Sequence, residues 1–195
     1  MAALICLGSI LILFPAWLPR NPELPVEDGA VEILQLVMLS LSAAFLLATS
    51  SHAGKLRTVY LGLSFSAMAA AVAEFDYAVG AILPNHLAKW LFLPFVLIAL
   101  WYFTRDRRAL ARFMATTARH PATGFIAAAL ILIYVFSDIF GSSAFWKATL
   151  EADFHPDLPR ICREYLELLA CYFIFVGVVG FCLSARKGDF SVTQA

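Results

Sequence analysis

Charge is what this sequence has least of. Only 14% of its 195 residues are Asp, Glu, Lys or Arg, against 62% hydrophobic, and the mean hydropathy is +0.81. Water-soluble domains carry about 25% charged residues, so the composition excludes one and implies a chain solvated by lipid. The formal net charge is zero, which gives no reason to expect a nucleic-acid partner. The four cysteines form no Cys-x-x-Cys pair. Cys162 and Cys171 stand about 13 Å apart along a predicted helix and cannot bridge there, so nothing supports thiol oxidoreductase chemistry. There is no Gly-rich phosphate loop, no Gly-x-Ser-x-Gly elbow and no His-Glu-x-x-His zinc signature. The Glu-x-x-His pairs of ferritin-like dimetal sites are also missing.

Long apolar runs are abundant. A hydrocarbon core of about 30 Å takes about twenty apolar residues at a 1.5 Å rise. Six segments meet this requirement, at roughly 2–18, 30–49, 58–82, 88–104, 122–140 and 164–185. The first lacks a basic leader and a small-x-small cleavage site, and is read as a helix and not as a signal peptide. The expected fold is therefore all-α: one polytopic bundle of six transmembrane helices.

The few charges are unevenly distributed. Lys55 and Arg57, then Arg105, Arg107, Arg108, Arg112 and Arg119, then Arg186 and Lys187 occupy three connections whose only acids are Asp106 and Asp189. By the positive-inside rule these connections are cytoplasmic, and with six spans both termini are too. A bacterial cytoplasmic membrane is the expected location. The basic stretch with Arg108 and Arg112 on one helical face reads as an anchor against anionic headgroups. Trp17, Trp90, Trp101, Tyr102 and Trp146 fall near segment ends, as an interfacial belt requires. The remaining acids, Glu23, Glu27, Asp28, Glu32, Glu74, Asp76, Asp138, Glu151, Asp153, Asp157, Glu164 and Glu167, then lie on the outer side.

Ionised carboxylates inside hydrocarbon cost several kcal/mol, so each is expected to face protein. In the third segment Ala67, Ala70, Ala71, Glu74 and Ala78 recur at helical spacing, which turns Glu74 toward a closely packed neighbour. Asp76 belongs with Ala69, Ala73 and Gly80 on a second small-residue strip. Asp28, Glu32 and Gln35 form a polar stripe on the second segment, and Tyr134, Ser137, Asp138 and Gly141 one on the fifth. Arg160, Arg163, Glu164, Glu167 and Cys171 share a face of the sixth, with Arg160 one turn from Glu164. Glu27 and Asp28 are explained as helix caps, and Glu164 by its Arg160 partner. Glu74, Asp138 and Glu167 are read as having no local cation.

Converging carboxylates need compensation, from protons, Arg160 or Arg163, Lys89 or Lys147, or a divalent metal. His86 and His155 are the only histidines on the acidic side, and Glu151 and His155 would share a face if their loop were helical. Mixed carboxylate and imidazole ligation suits Fe, Mn or Zn, and carboxylates alone suit Ca or Mg. Glu32, Glu74, Asp138, Glu167 and His155 are the expected ligands, and the first four the expected acid/base groups. The functional expectation is a small membrane enzyme acting on a lipid-like or extracytoplasmic substrate. The alternative is an accessory or assembly subunit with a protein or self partner, binding through residues 141–163. A proton- or cation-coupled transporter ranks third, because coupling sites lie near the midplane and these acids do not.

Overall fold

A computed structural model describes residues 30–74 and 90–187. Segment 2–18 and the residues Asp28, Asp76, His86 and Lys89 lie outside the described part. Among the described residues all regular structure is helical. Helix α1 is Ala30–Ser50, and α2 is Arg57–Glu74, entered through a 3-10 turn at Gly54–Leu56. Helix α3 is Leu93–Arg105 and α4 is Arg107–Thr117. Helix α5, Pro121–Ile131, runs through a π-turn at Leu132–Phe136 into α6, Ser137–Phe140. A short α7, Ser143–Leu150, precedes the 30-residue α8, Leu158–Lys187.

Among the described residues four helical stretches are long and apolar enough to cross a membrane: Val31–Ser50, Gly54–Glu74, Pro121–Phe140 and Leu158–Arg186. They coincide with the second, third, fifth and sixth predicted segments. The segment predicted at 88–104 overlaps the 13-residue α3, about 20 Å long and so short of a full crossing on its described residues alone. The segment predicted at 164–185 lies within α8, whose start at Leu158 also takes in Arg160 and Arg163. Pro159 is tolerated there, since a first-turn proline has no intrahelical N–H bond to lose.

Lipid supplies no hydrophobic drive for helix association, so close backbone approach and side-chain fit hold the bundle together. Helix α8 is the hub. Near one end Leu168, Cys171, Tyr172 and Val176 pack with Met38 and Leu39 of α1 and Ala71 of α2. Near the other, Val178, Phe181 and Cys182 pack with Ala43, Leu46, Val59, Tyr60, Phe113 and Ala122. A Cβ on Gly177 would lie 2.7 Å from Ile126 Cδ1 and 3.1 Å from the Ala122 carbonyl oxygen, so α5 and α8 meet almost backbone to backbone. Helix α2 also packs against α3, which agrees with a central helix bounded on two sides. Ala69 is buried on that second strip while Ala73 is exposed.

These pairings carry the basic connections to one end of the bundle. At the end of α1, Thr49 Oγ1 and Ser50 Oγ donate to the carbonyls of Phe45 and Leu47 at 2.8 and 2.7 Å, satisfying last-turn acceptors. Asp106 leaves the helical region and its Oδ1 accepts from Ala109 N at 2.9 Å, so α3 stops and α4 starts in a new direction. Helix α4 docks through Ala109, Phe113 and Thr117 and leaves Arg107, Arg108 and Arg112 exposed. The Nδ1 of His120 accepts from Ala122 N at 3.1 Å and its Nε2 pairs with Ser184 Oγ at 2.9 Å, which ties the start of α5 to the end of α8. Among the described carboxylates only Asp106 belongs to this end.

Candidate acidic site around Arg163

Counted from the basic end, Glu32, Glu74, Asp138 and Glu167 each stand roughly 18 residues along their helices, about 27 Å at the helical rise. They lie at a similar distance from the basic end of the bundle, and Arg163 is one turn beyond Glu167.

The centre of the cluster is Arg163. Its Nε donates to Glu167 Oε1 at 2.8 Å, and the same oxygen accepts from Ser137 Oγ at 2.9 Å. Ser137 is only 2% exposed, so α6 and α8 are joined by a buried hydroxyl on a carboxylate, a charge-assisted bond stronger than a neutral one. Arg163 also interacts electrostatically with Asp138 and Glu74, and Glu74 with Glu167. Carboxylates from α2, α6 and α8 thus lie within electrostatic reach of one guanidinium, and Glu167 alone touches it. Glu74 is half-buried and, among the described residues, takes part in no hydrogen bond or ion pair. A second pair, Arg160 Nε to Glu164 Oε1 at 3.6 Å, lies on the same helix.

Two local features make the arrangement. The π-turn at Leu132–Phe136 leads straight into Ser137, whose N–H bonds back to the Leu132 carbonyl. The extra residue rotates everything after it relative to an α-helix. Gly141 then provides clearance: a Cβ there would sit 3.2 Å from Arg163 Cδ and 2.7 Å from the Ser137 carbonyl oxygen.

Several expectations change. Glu167 does have a local cation, Arg163, at the i, i+4 spacing that favours pairing. The predicted stripe on the fifth segment is broken by the π-turn: Ser137 and Gly141 face α8, whereas Tyr134 is 72% exposed and Asp138 is exposed beside the cluster. The stretch after α7 is a 3-10 turn at Glu151–Asp153 followed by extended Phe154, so Glu151 and His155 share no helical face. His155 is exposed, with Nδ1 3.6 Å from Asp157 Oδ2. Lys147 stacks over Phe154 at 5.5 Å, out on the same arm. Glu32 is half-buried in the first turn of α1, with buried Gln35 three residues on. Among the described residues no group of three or more His, Cys, Asp or Glu side chains is close enough to hold a metal ion.

Ser137 was read as part of a stripe and not as the second partner of Glu167. No spacing rule signals it, because the π-turn decides its direction. Compared with protein families, with curated proteins and with solved structures, the chain finds no match in any of the three. Fold and composition define the class alone: a membrane-type protein, helical in all regular structure of its described residues.

Proposed function

We propose that this chain is a multi-pass protein of a bacterial cytoplasmic membrane whose acidic end faces outward and acts as a small enzyme on a lipid-like or extracytoplasmic substrate. The observation that supports the reading is that carboxylates from three helices lie within electrostatic reach of the Arg163 guanidinium, one of them, Glu167, in direct contact at 2.8 Å. A scaffold needs one partner per charge. Here Glu167 is matched by Arg163 and Ser137, while Glu74 and Asp138 bring two further carboxylates to the same guanidinium. Glu74 is the acid/base group, because it combines partial burial with the absence of a hydrogen bond among the described residues. Arg163 supplies the positive charge sought from a metal or a proton, and its remaining N–H donors suit an anionic group. Glu74 and Asp138 then meet a cationic group or a divalent ion from the substrate side, with Glu32 one helix away.

Lipid and cell-surface analysis of a deletion strain tests this. A changed profile that wild type restores and Glu74→Gln does not is the expected result. An unchanged profile overturns the enzyme reading. Orientation is checked by cysteine labelling: sites at Arg108 and Asp153 in a background free of native cysteines should react from opposite sides.

The accessory-subunit alternative draws support from one feature. Helix α7 forms an aromatic arm in which Trp146 Nε1 donates to the Phe140 carbonyl at 2.6 Å while Phe145 remains 37% exposed. A stoichiometric protein partner recovered with the wild type, and lost on Phe145→Ala, would favour it.

A further inference from the structure

Helix α4 has one buried face, and the protein itself occupies it. Ala109, Phe113 and Thr117, spaced at i, i+4 and i+8, are buried. The Phe113 ring stands 5.9 Å from that of Tyr60 on α2 and 5.6 Å from that of Phe181 on α8, so the helix closes the basic end of the bundle. A helix that anchors itself in a membrane needs its apolar face for the acyl chains. Here that face is already used, and α4 offers the surroundings only its outward side.

Arg108 and Arg112 lie one turn apart on that side, and both are exposed. The Arg112 Nε donates to the Arg108 carbonyl at 3.2 Å, which draws the second side chain back toward the first. Ala118 keeps right-handed helical angles, so the exposed Arg119, seven residues after Arg112, returns to the same stripe. Among the described residues none of the three forms an ion pair. Asp106, the only described carboxylate at this end, is committed to Ala109 N as the cap of α4. Like charges one turn apart destabilise a helix. The first turn of α4 also lacks an acid, and Arg107 and Arg108 there oppose the positive end of its macrodipole. Nothing in the described protein offsets this stripe, so its counter-ion comes from outside.

The neighbouring surface indicates which anion. Arg119 stands two residues before Pro121, where the span Pro121–Phe140 begins. At the other end of α4, Arg105 lies over the exposed ring of Trp101 at 4.9 Å, and Leu97 and Leu100 of the same helix are exposed. The stripe is thus bounded at both ends by apolar surface suited to hydrocarbon. We infer that Arg108, Arg112 and Arg119 form a docking stripe for the phosphates of anionic phospholipids, which hold α4 over the end of the bundle. Planar guanidinium forks match phosphate oxygens two at a time. The inference is independent of the acidic end.

The test uses full-length protein in neutral detergent, stripped of lipid, with phosphatidylglycerol or phosphatidylcholine of identical chains added back while thermal unfolding is followed. Phosphatidylglycerol should raise the midpoint by about 5–10 °C at a hundredfold excess over its Kd, and phosphatidylcholine by clearly less. The double variant Arg108→Gln, Arg112→Gln should lose most of that preference, yet melt no earlier than wild type without lipid, because it removes a like-charge pair. Arg119→Gln, which leaves α4 itself unchanged, should weaken the preference too. A preference that survives in both variants overturns the inference, whatever their stability in detergent. Arg57→Gln with Arg107→Gln removes the same charge from other faces of this end and should keep the preference; an equal loss there overturns the stripe in favour of net charge. Equal shifts from the two lipids, or a matching shift from inorganic phosphate or a duplex oligonucleotide, overturn an anionic lipid as the occupant.

Discussion

Replacing Arg163 with Met keeps most of the side-chain stem and removes the charge, and its consequences distinguish a shared counter-ion from an ordinary helix pair. An isolated, partly exposed i, i+4 pair is worth about 0.2–1 kcal/mol. Arg163 is more than that: it is 2.8 Å from Glu167, which also accepts from the buried Ser137, and it acts on Asp138 and Glu74 as well. A hydrogen bond to a charged group contributes about 1.5–3 kcal/mol. The 58% exposure of the Arg163 side chain argues for the lower part of that range. We therefore expect Arg163→Met to cost about 2 kcal/mol, a fall in melting temperature of about 4–8 °C for a chain of this size. Thermal unfolding in detergent measures it. The decisive arm is a pair of double mutants, because contacting groups depart from additivity. If Arg163 serves several carboxylates, Glu74→Gln restores part of the stability lost in Arg163→Met, as Glu167→Gln does. Rescue by Glu167→Gln alone would reduce the cluster to a local pair and remove the main support for a convergent site.

Glu74→Gln should be tolerated better than Glu74→Leu, since an amide keeps its hydrogen-bonding capacity in a polar interior; a Leu variant as stable as the Gln variant would mean that position 74 faces lipid. Gly141→Ala should displace Arg163, whose Cδ is 3.2 Å from the added Cβ, and lower the melting temperature by an amount that falls when Arg163→Met is already present; full additivity would mean that the glycine acts on the backbone alone. The Tyr60 hydroxyl is fully buried and has no hydrogen-bond partner among the described residues. Tyr60→Phe should therefore raise stability by up to about 1 kcal/mol, and a loss would reveal a partner for that oxygen.

Composition alone determined the environment. A chain this poor in charge must bury its backbone polar groups in helices within lipid, so α1, α2, the α5–α6 run and α8 could be located by counting apolar residues. The basic connections can be read from sequence, and counting residues from them along each helix puts Glu32, Glu74, Asp138 and Glu167 at a similar distance from that end. The Arg163–Glu167 pair follows from its i, i+4 spacing, as the Arg160–Glu164 pair does. Which way each side chain turns was not readable. The π-turn at Leu132–Phe136 adds a residue to one turn and redirects Ser137 and Asp138, and nothing in the local pattern of apolar residues signals it. That Arg163 serves Glu74 and Asp138 in addition to Glu167 depends on the clearance at Gly141 and on the packing of α1 and α6 against α8 and of α2 against α1. Those distances belong to the packing of four helices, and a helical repeat along any one of them contains no information about the others.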